Sequence, residues 1–482
     1  MSDSTFRYAP SRPSAVALDG MVAASQPTAV RAGLRLLERG GNAMDAALAA
    51  AAMLCVTEPM STGVGGDLFA IVSHDGEVAG LDAAGPAPAE IDDPQKIPEW
   101  GPASVDVPGA VAGWAALAAR FGRLGLDACL ADAIDAAERG YALGFHTARA
   151  WSEADHGPDE WLPAPAAAAT VRLPELGRTL REIAGGGADA FYRGPLARRI
   201  AAACWLSESD LAAYEPRWVD PLALDFGGLR VLELPPPTQG VAALEALGLV
   251  ERLGNGLAGR VQAVSLALED AFEHVRDGAD VGFLLAPEHL NARAGAALRP
   301  VTELAGGTVY LCAVDSDRMS VSLIQSLYQH FGSGVLVPGT GIALNNRAAC
   351  FKVHGRVEAG RRPYHTIIPG LLLEPDGSPI GPFGVMGGFI QAQAHLQFVT
   401  AALDEELDPQ AALDRPRFRV QGGEVHLEPG LWDEAESLES LGLTPVRSTD
   451  TSAFGGGQAI FRRGDALVGG SDARKDGYAA GI

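Results

Sequence analysis

Gly306-Gly-Thr-Val-Tyr-Leu-Cys-Ala-Val-Asp315 marks a change of character in the chain. Upstream, from about residue 109 to 300, the sequence is rich in Ala and Leu and reads mainly as helices. From Thr308 to Val314, β-branched and aromatic residues read as a strand, and Met319 to Gln325 reads as its partner across a short turn. Gly306-Gly307 gives the backbone before Thr308 a freedom that other residues lack. The chain therefore divides into a helix-rich region, 1–307, and a strand-rich region, 308–482, that opens abruptly at a threonine.

Other elements are legible on either side of this junction. Pro27 suits the first turn of a helix that stops at Gly40-Gly41. Asn42 can cap a second helix, Ala43 to Cys55, whose Ala, Leu and Met residues leave no polar face, so that it reads as buried. Glu58 to Gly66 is a Gly-rich loop. Leu68 to Ser73 and Glu77 to Leu81 flank Asp75-Gly76 as a β-hairpin. In the C-terminal third, a glycine-punctuated stretch runs from Gly332 to Gly341. Ile390 to Leu403 reads as a helix, and two late hairpins fall at Gly422-Gly423 and Gly464-Asp465.

Composition narrows the function. Of 482 residues, 47% are hydrophobic and 20% charged, which is globular. The formal charge of -23 repels phosphate backbones and anionic lipid, and no basic cluster offsets it, so neither nucleic acid nor membrane is expected as a partner. The Ala-rich run from Ala46 to Val56 is too short to span a bilayer. The N-terminus has no apolar stretch of signal-peptide length. Five cysteines without close spacing point to reduced thiols and a cytoplasmic setting. The sequence has no P-loop, dinucleotide fingerprint, H-E-x-x-H or zinc spacing, so neither metal nor cofactor is expected.

Thr308 is the position of chemical interest. A threonine opening a strand can expose its Oγ at the strand end. If the bond before it is cut, it also gains a free α-amine that can act as general base for its own hydroxyl. An α-amine titrates near pH 7.7–8.0 in model compounds, so an appreciable neutral fraction exists near pH 7. The plain alternative is an ordinary strand-opening threonine.

Several blocks, in order, resemble the γ-glutamyltranspeptidase family of N-terminal-nucleophile hydrolases. They are Gly20-Met-Val-Ala-Ala-Ser25, Gly40-Gly-Asn-Ala-Met-Asp45, Glu58-Pro through Gly65-Gly66, Val107 to Gly113 and Pro235-Pro-Pro-Thr-Gln-Gly240. The C-terminal blocks are Thr308 to Asp315, Phe331-Gly-Ser-Gly334, Gly341 to Asn346, Gly387-Gly388 and Gly470-Ser-Asp472. The resemblance implies an α+β fold, a four-layer αββα sandwich with a large helical portion. It implies self-cleavage between Gly307 and Thr308, with both fragments staying associated and a higher oligomer left open. It makes Thr308 the nucleophile, Ser326 its hydroxyl partner, and Gly387-Gly388 the oxyanion-binding glycines. The acyl group would then pass to water or an amine.

The substrate positions depart from the family. Its carboxylate-binding arginine aligns with Ala84, in Asp82-Ala-Ala-Gly-Pro-Ala-Pro88, and its glutamyl-contacting Asn with Tyr328. The Gln and Asp that grip the α-amino group align with Arg347 and Cys350. Two serines align with His365 and Thr366. A glutamyl head needs a cation for its carboxylate and an acceptor for its amine, and the usual ones are missing. Arg347 and His365 are instead expected to hold a small acidic acyl group, His365 bending the pH profile near 6.5. The segment from Phe351 to Arg362 is short compared with lid-bearing members. Divergent members include an oxamate amidohydrolase and natural-product enzymes that hydrolyse a C–C bond beside a carbonyl. The expected activity is therefore amide hydrolysis or acyl transfer on a small non-glutamyl compound. An ordinary γ-glutamyltransferase or glutathione hydrolase, and an inactive homologue kept as a scaffold, are the alternatives.

Overall fold

The computed structural model of the chain describes residues 11–154, 156–300 and 306–482. The first ten residues, on which the signal-peptide reading partly rests, lie outside these. Helices and strands are mixed throughout. Pro27–Glu38 and Ala43–Thr57 form the two early helices. Asn42 caps the second through a reciprocal box: its side chain accepts from Asp45 N, and Asp45 Oδ2 accepts from Asn42 N at 3.0 Å. Every residue of this helix is buried, as its uniform apolarity requires. The hairpin Asp67–His74 and Glu77–Ala83 turns at Asp75 and Gly76, both with positive φ (50° and 77°), the conformation that Asp-Gly favours.

Two seven-stranded sheets organise the chain. In the first the order is Tyr478–Gly481, Gly20–Ala24, Gly307–Asp315, Ser320–Tyr328, Asp67–His74, Glu77–Ala83 and Arg217–Val219. In the second it is Ala15–Ala17, Ala466–Ser471, Gly456–Arg463, Pro379–Met386, Gly370–Leu373, Leu229–Glu233 and Leu222–Phe226. Alternate residues along one strand join different apolar clusters, as the period of two demands. Val309, Leu311 and Ala313 pack with the Pro27, Ala43, Ala110 and Leu126 helices. Tyr310, Cys312 and Val314 pack with Leu371, Met386 and Ile460 of the second sheet. Leu372, Phe383 and Phe461 of that sheet pack with the Gly240, Leu257 and Ile390 helices.

The 109–300 region is less uniformly helical than its composition predicts. Arg217–Val219, Leu222–Phe226 and Leu229–Glu233 are strands, the last two joined at Gly227-Gly228. In Leu222–Phe226 the Ala/Leu content hides the alternation of half-buried and exposed residues that suits an edge strand. The Gly307–Thr308 junction is no spatial boundary either. Five strand pairings cross it: Gly20–Ala24 with Gly307–Asp315 and with Tyr478–Gly481, Ser320–Tyr328 with Asp67–His74, Ala15–Ala17 with Ala466–Ser471, and Gly370–Leu373 with Leu229–Glu233. Pieces cut at that bond would share both sheets. No described helix is long and apolar enough to cross a membrane.

Candidate active site

Thr308 sits where its strand's pairing is irregular. Gly307 pairs with Tyr328 and Val309 with Gln325, so Thr308 alone faces both Ser326 and Leu327. Such a bulge re-aims side chains. Here it brings the Ser326 hydroxyl to the bond preceding Thr308. Ser326 Oγ donates to Gly307 O at 2.6 Å, and accepts from Tyr328 N at 2.8 Å and from Thr308 Oγ1 at 3.4 Å. One donor and two lone pairs are thereby used in full. Tyr328 closes the bulge with φ 80°, a left-handed conformation costly for a residue with a Cβ.

The other side of Thr308 is formed by the start of the Ile390–Leu403 helix. Gln391, buried in its first turn, donates from Nε2 to Thr308 Oγ1 at 3.4 Å. Its Oε1 accepts from Ile368 N at 3.0 Å, which fixes the amide's orientation. Gly387 (φ 128°) and Gly388 (φ 69°) precede the helix in conformations that exclude side chains. Gly306 packs on this pair, since a Cβ built on it would come 2.8 Å from Gly388 Cα. His330 lies against Gly307, where a Cβ would come 2.5 Å from His330 Cδ2. Sequence reasoning missed Gln391 and His330. Neither lies in a block that carries the resemblance, and only the fold brings them to the junction.

A cavity of about 330 Å³ opens on Thr308, Gly307, Gly387 and His330. Its outer wall carries Glu58, His146, Glu153, Arg419, Lys475 and Asp476. Ala84, Tyr328, Arg347, Cys350, His365 and Thr366 do not line it. They are buried behind it. Arg347 Nε donates to Asp67 Oδ2 at 3.0 Å, and its guanidinium stacks 4.9 Å from the Tyr328 ring centroid, beside Cys350. His365 Nδ1 donates to Pro363 O at 2.7 Å, and its Nε2 stands 3.5 Å from the same Asp67 oxygen. Asp67 in turn pairs across the sheet with Ser326. Ala84 packs between the sheets, its carbonyl accepting from Arg362 Nε, and the Thr366 carbonyl accepts from Gln239 Nε2. None of residues 351–362 lines the cavity.

Charge in this buried group is compensated internally. Burial pushes the Asp67 carboxyl up, but the His365 contact and the Arg347 charge outweigh it and hold it below the ordinary carboxylate range. Burial, then Arg347, push His365 below its ordinary value. The expected bend near pH 6.5 is therefore displaced to lower pH. Asp106, also missed in the sequence, adds a buried carboxyl pushed well up by burial and by Asp67. Asn345 ties it to Arg347, its Oδ1 accepting from both backbone N–H groups at 3.1 Å. Among the described residues, both Asp106 carboxyl oxygens, Arg347 Nη2 and His365 Nε2 have no hydrogen-bond partner.

Glu245, Asp270 and His289 also converge, away from this cavity, with ligand-capable atoms within 4.8 Å of one another. Arg293 Nε already donates to the same Asp270 oxygen that His289 faces, and burial together with Asp270 pushes Glu245 up to about 11. A cluster whose Glu245 is pushed toward its neutral form and whose Asp270 is already bound by Arg293 is a poor cation site.

The Gamma-glutamyltranspeptidase family model matches residues 29–482. An oxamate amidohydrolase proenzyme from Klebsiella pneumoniae is 34% identical over 97% of this chain and 99% of its own. An acylase proenzyme from a Pseudomonas species is 30% identical over 96% of this chain and 93% of its own. The crystal structure of a cephalosporin acylase from Bacillus halodurans superposes with a TM-score of 0.90 at 39% identity, covering 100% of this chain and 99% of that one. The family match and these relatives make the chain a member of the γ-glutamyltranspeptidase family and, with it, an amide-hydrolysing or acyl-transferring enzyme of the N-terminal-nucleophile type.

Proposed function

We propose that the protein cuts itself between Gly307 and Thr308 and then hydrolyses a small non-glutamyl amide through a Thr308 acyl-enzyme. The observation that carries this reading is the hydrogen-bond chain from Thr308 Oγ1 through Ser326 Oγ to the Gly307 carbonyl. In the first step Thr308 Oγ bonds to the Gly307 carbonyl carbon. Its proton passes to Ser326, which hands its own to the carbonyl oxygen. The C–N bond then breaks as the nitrogen takes up that proton, and water hydrolyses the resulting ester. The new α-amine serves as base for later turnovers. Departure of Gly306 frees Gly388, so that Gly387-Gly388 can bind the substrate oxyanion. The fragments 1–307 and 308–482 stay together through their shared sheets. The two helix groups and two sheets are read as an αββα sandwich, and the setting as cytoplasmic.

Intact mass of the purified protein tests the first step, with fragments 1–307 and 308–482 as the expected products. Ser326→Ala should slow their appearance by about 10²–10³-fold, the usual cost of removing a donor from a developing oxyanion, while Ser326→Thr should keep most of the rate. Unchanged cleavage in Ser326→Ala would rule out the relay.

Two relatives are named as an oxamate amidohydrolase and a cephalosporin acylase, and this supports a non-glutamyl substrate here. The glutamyl-contact positions hold Ala84, Tyr328, Arg347 and Cys350, packed shut. Activity on γ-glutamyl p-nitroanilide and glutathione should therefore fall orders of magnitude short of an ordinary member, each lost charged contact costing ~2–5 kcal/mol. Turnover comparable to an ordinary member's would restore the γ-glutamyl reading.

A further inference from the structure

The charged groups on the wall of the Thr308 cavity are unequally engaged. Each acid there has partners. Glu58 accepts from Ser25 Oγ and from Gln26 Nε2 at 3.2 Å. Glu153 accepts from Arg149 Nε at 2.6 Å. Asp476 accepts from His146 N and Thr147 N, at 3.1 and 2.9 Å, and so caps the Phe145–Ser152 helix. Lys475, in contrast, makes no ion pair and no side-chain hydrogen bond with any described residue. Its charge is nonetheless felt in the cavity, where it draws the buried Glu58 carboxyl downward against the larger effect of burial.

Lys475 is also held in place. Its stem lies on Gly456, where a Cβ would come 2.4 Å from Lys475 Cγ. The turn that carries it is fixed from both sides. On one side Asp472 Oδ2 accepts from Arg417 Nη2 at 2.6 Å and Asp472 Oδ1 from Arg474 N at 2.9 Å. On the other, Asp476 is bound to the Phe145 helix. A seated lysine stem whose ammonium is tied into no ion pair among the described residues, in a cavity that opens on Thr308, forms a site for an anion. The buried Arg347 cannot take this role as readily, because Asp67 already neutralises it.

We propose that Lys475 is the anion anchor of the Thr308 cavity and that the acyl group bound there carries a carboxylate. This rests on the reading of Thr308 as nucleophile and assigns the substrate contact to a residue outside the aligned glutamyl positions.

The test uses the purified full chain at constant ionic strength, with succinyl-p-nitroanilide and its neutral counterpart butyryl-p-nitroanilide as probes. The wild type should prefer the succinyl probe. Lys475→Ala should lower the succinyl-to-butyryl ratio of kcat/KM by about 10–100-fold, mainly through KM, as expected for losing a charged hydrogen bond. Lys475→Arg should keep most of the ratio, and Lys475→Glu should drop it below that of Lys475→Ala. Self-cleavage is read by intact mass in the same samples. A wild type that cleaves itself and turns over either probe, with a ratio indifferent to Lys475, overturns the anchor and leaves the nucleophile reading standing. A wild type that neither cleaves itself nor turns over either probe overturns both.

Discussion

Thr308→Ala is expected to remain a single uncleaved chain and to lose about 10⁵–10⁶ in kcat, the scale set by deleting the nucleophile of other covalent hydrolases. The alanine keeps the strand, because both neighbours pair through backbone groups and the Thr308 side chain contributes only its contacts to Ser326 and Gln391. Folding should therefore survive, and circular dichroism with intact mass separates lost chemistry from lost structure. Thr308→Ser is the sharper companion. It keeps the oxygen and drops the methyl, so cleavage and turnover should persist at reduced rate. If Thr308→Ala were still cut at 307/308, another group must attack the Gly307 carbonyl. His330, which lies against Gly307, would then be the first candidate.

The second large effect falls on stability. Arg347→Ala should destabilise the fold by about 3–5 kcal/mol, because it strands the buried Asp67 carboxylate without its cation. Arg347→Lys should recover only part, since a point charge cannot reproduce the guanidinium's donation to Asp67 and stacking on Tyr328. Removing both charges, Asp67→Asn with Arg347→Gln, should cost less than Arg347→Ala alone. Asp67 also sets the pH dependence. Its folded pKa is depressed, so its contribution is present above the ordinary carboxylate range and is lost as pH falls through the lowered value. Urea unfolding at neutral pH measures the first effect. A loss under about 1 kcal/mol would show that Arg347 is not essential to this packing. An Arg347 that moves KM while leaving stability untouched would return it to the role of substrate anchor.

Local rules reach far in this chain. Asn42 and Asp45 cap a helix three residues apart, Asp75-Gly76 turns a hairpin, and Ile390–Leu403 begins and ends where its apolar run does. Each feature depends on residues within one or two turns of one another. The strands at Leu222–Phe226 and Leu229–Glu233 escaped the sequence reading because Leu229–Glu233 is held by Gly370–Leu373, well over a hundred residues away, and Leu222–Phe226 pairs only with Leu229–Glu233, at the sheet edge.

The site divides along the same line. Thr308, Ser326 and Gly387-Gly388, in the roles proposed for them, are marked out by the order of the resembling blocks along the sequence. Gln391, His330, Asp67, Asp106 and Lys475 are not, because each acquires meaning from a partner distant in sequence, as Gln391 does from Thr308 across 83 residues. Arg347 shows the difference most plainly. By itself the sequence determined only that an arginine, Arg347, stands where the resembling family has a substrate contact. Only the tertiary structure decided that Asp67, on the Asp67–His74 strand, neutralises it while Lys475 lines the cavity outside any ion pair among the described residues, because a buried arginine keeps its charge beside an acid, whereas a lysine at a cavity wall keeps its head group near water.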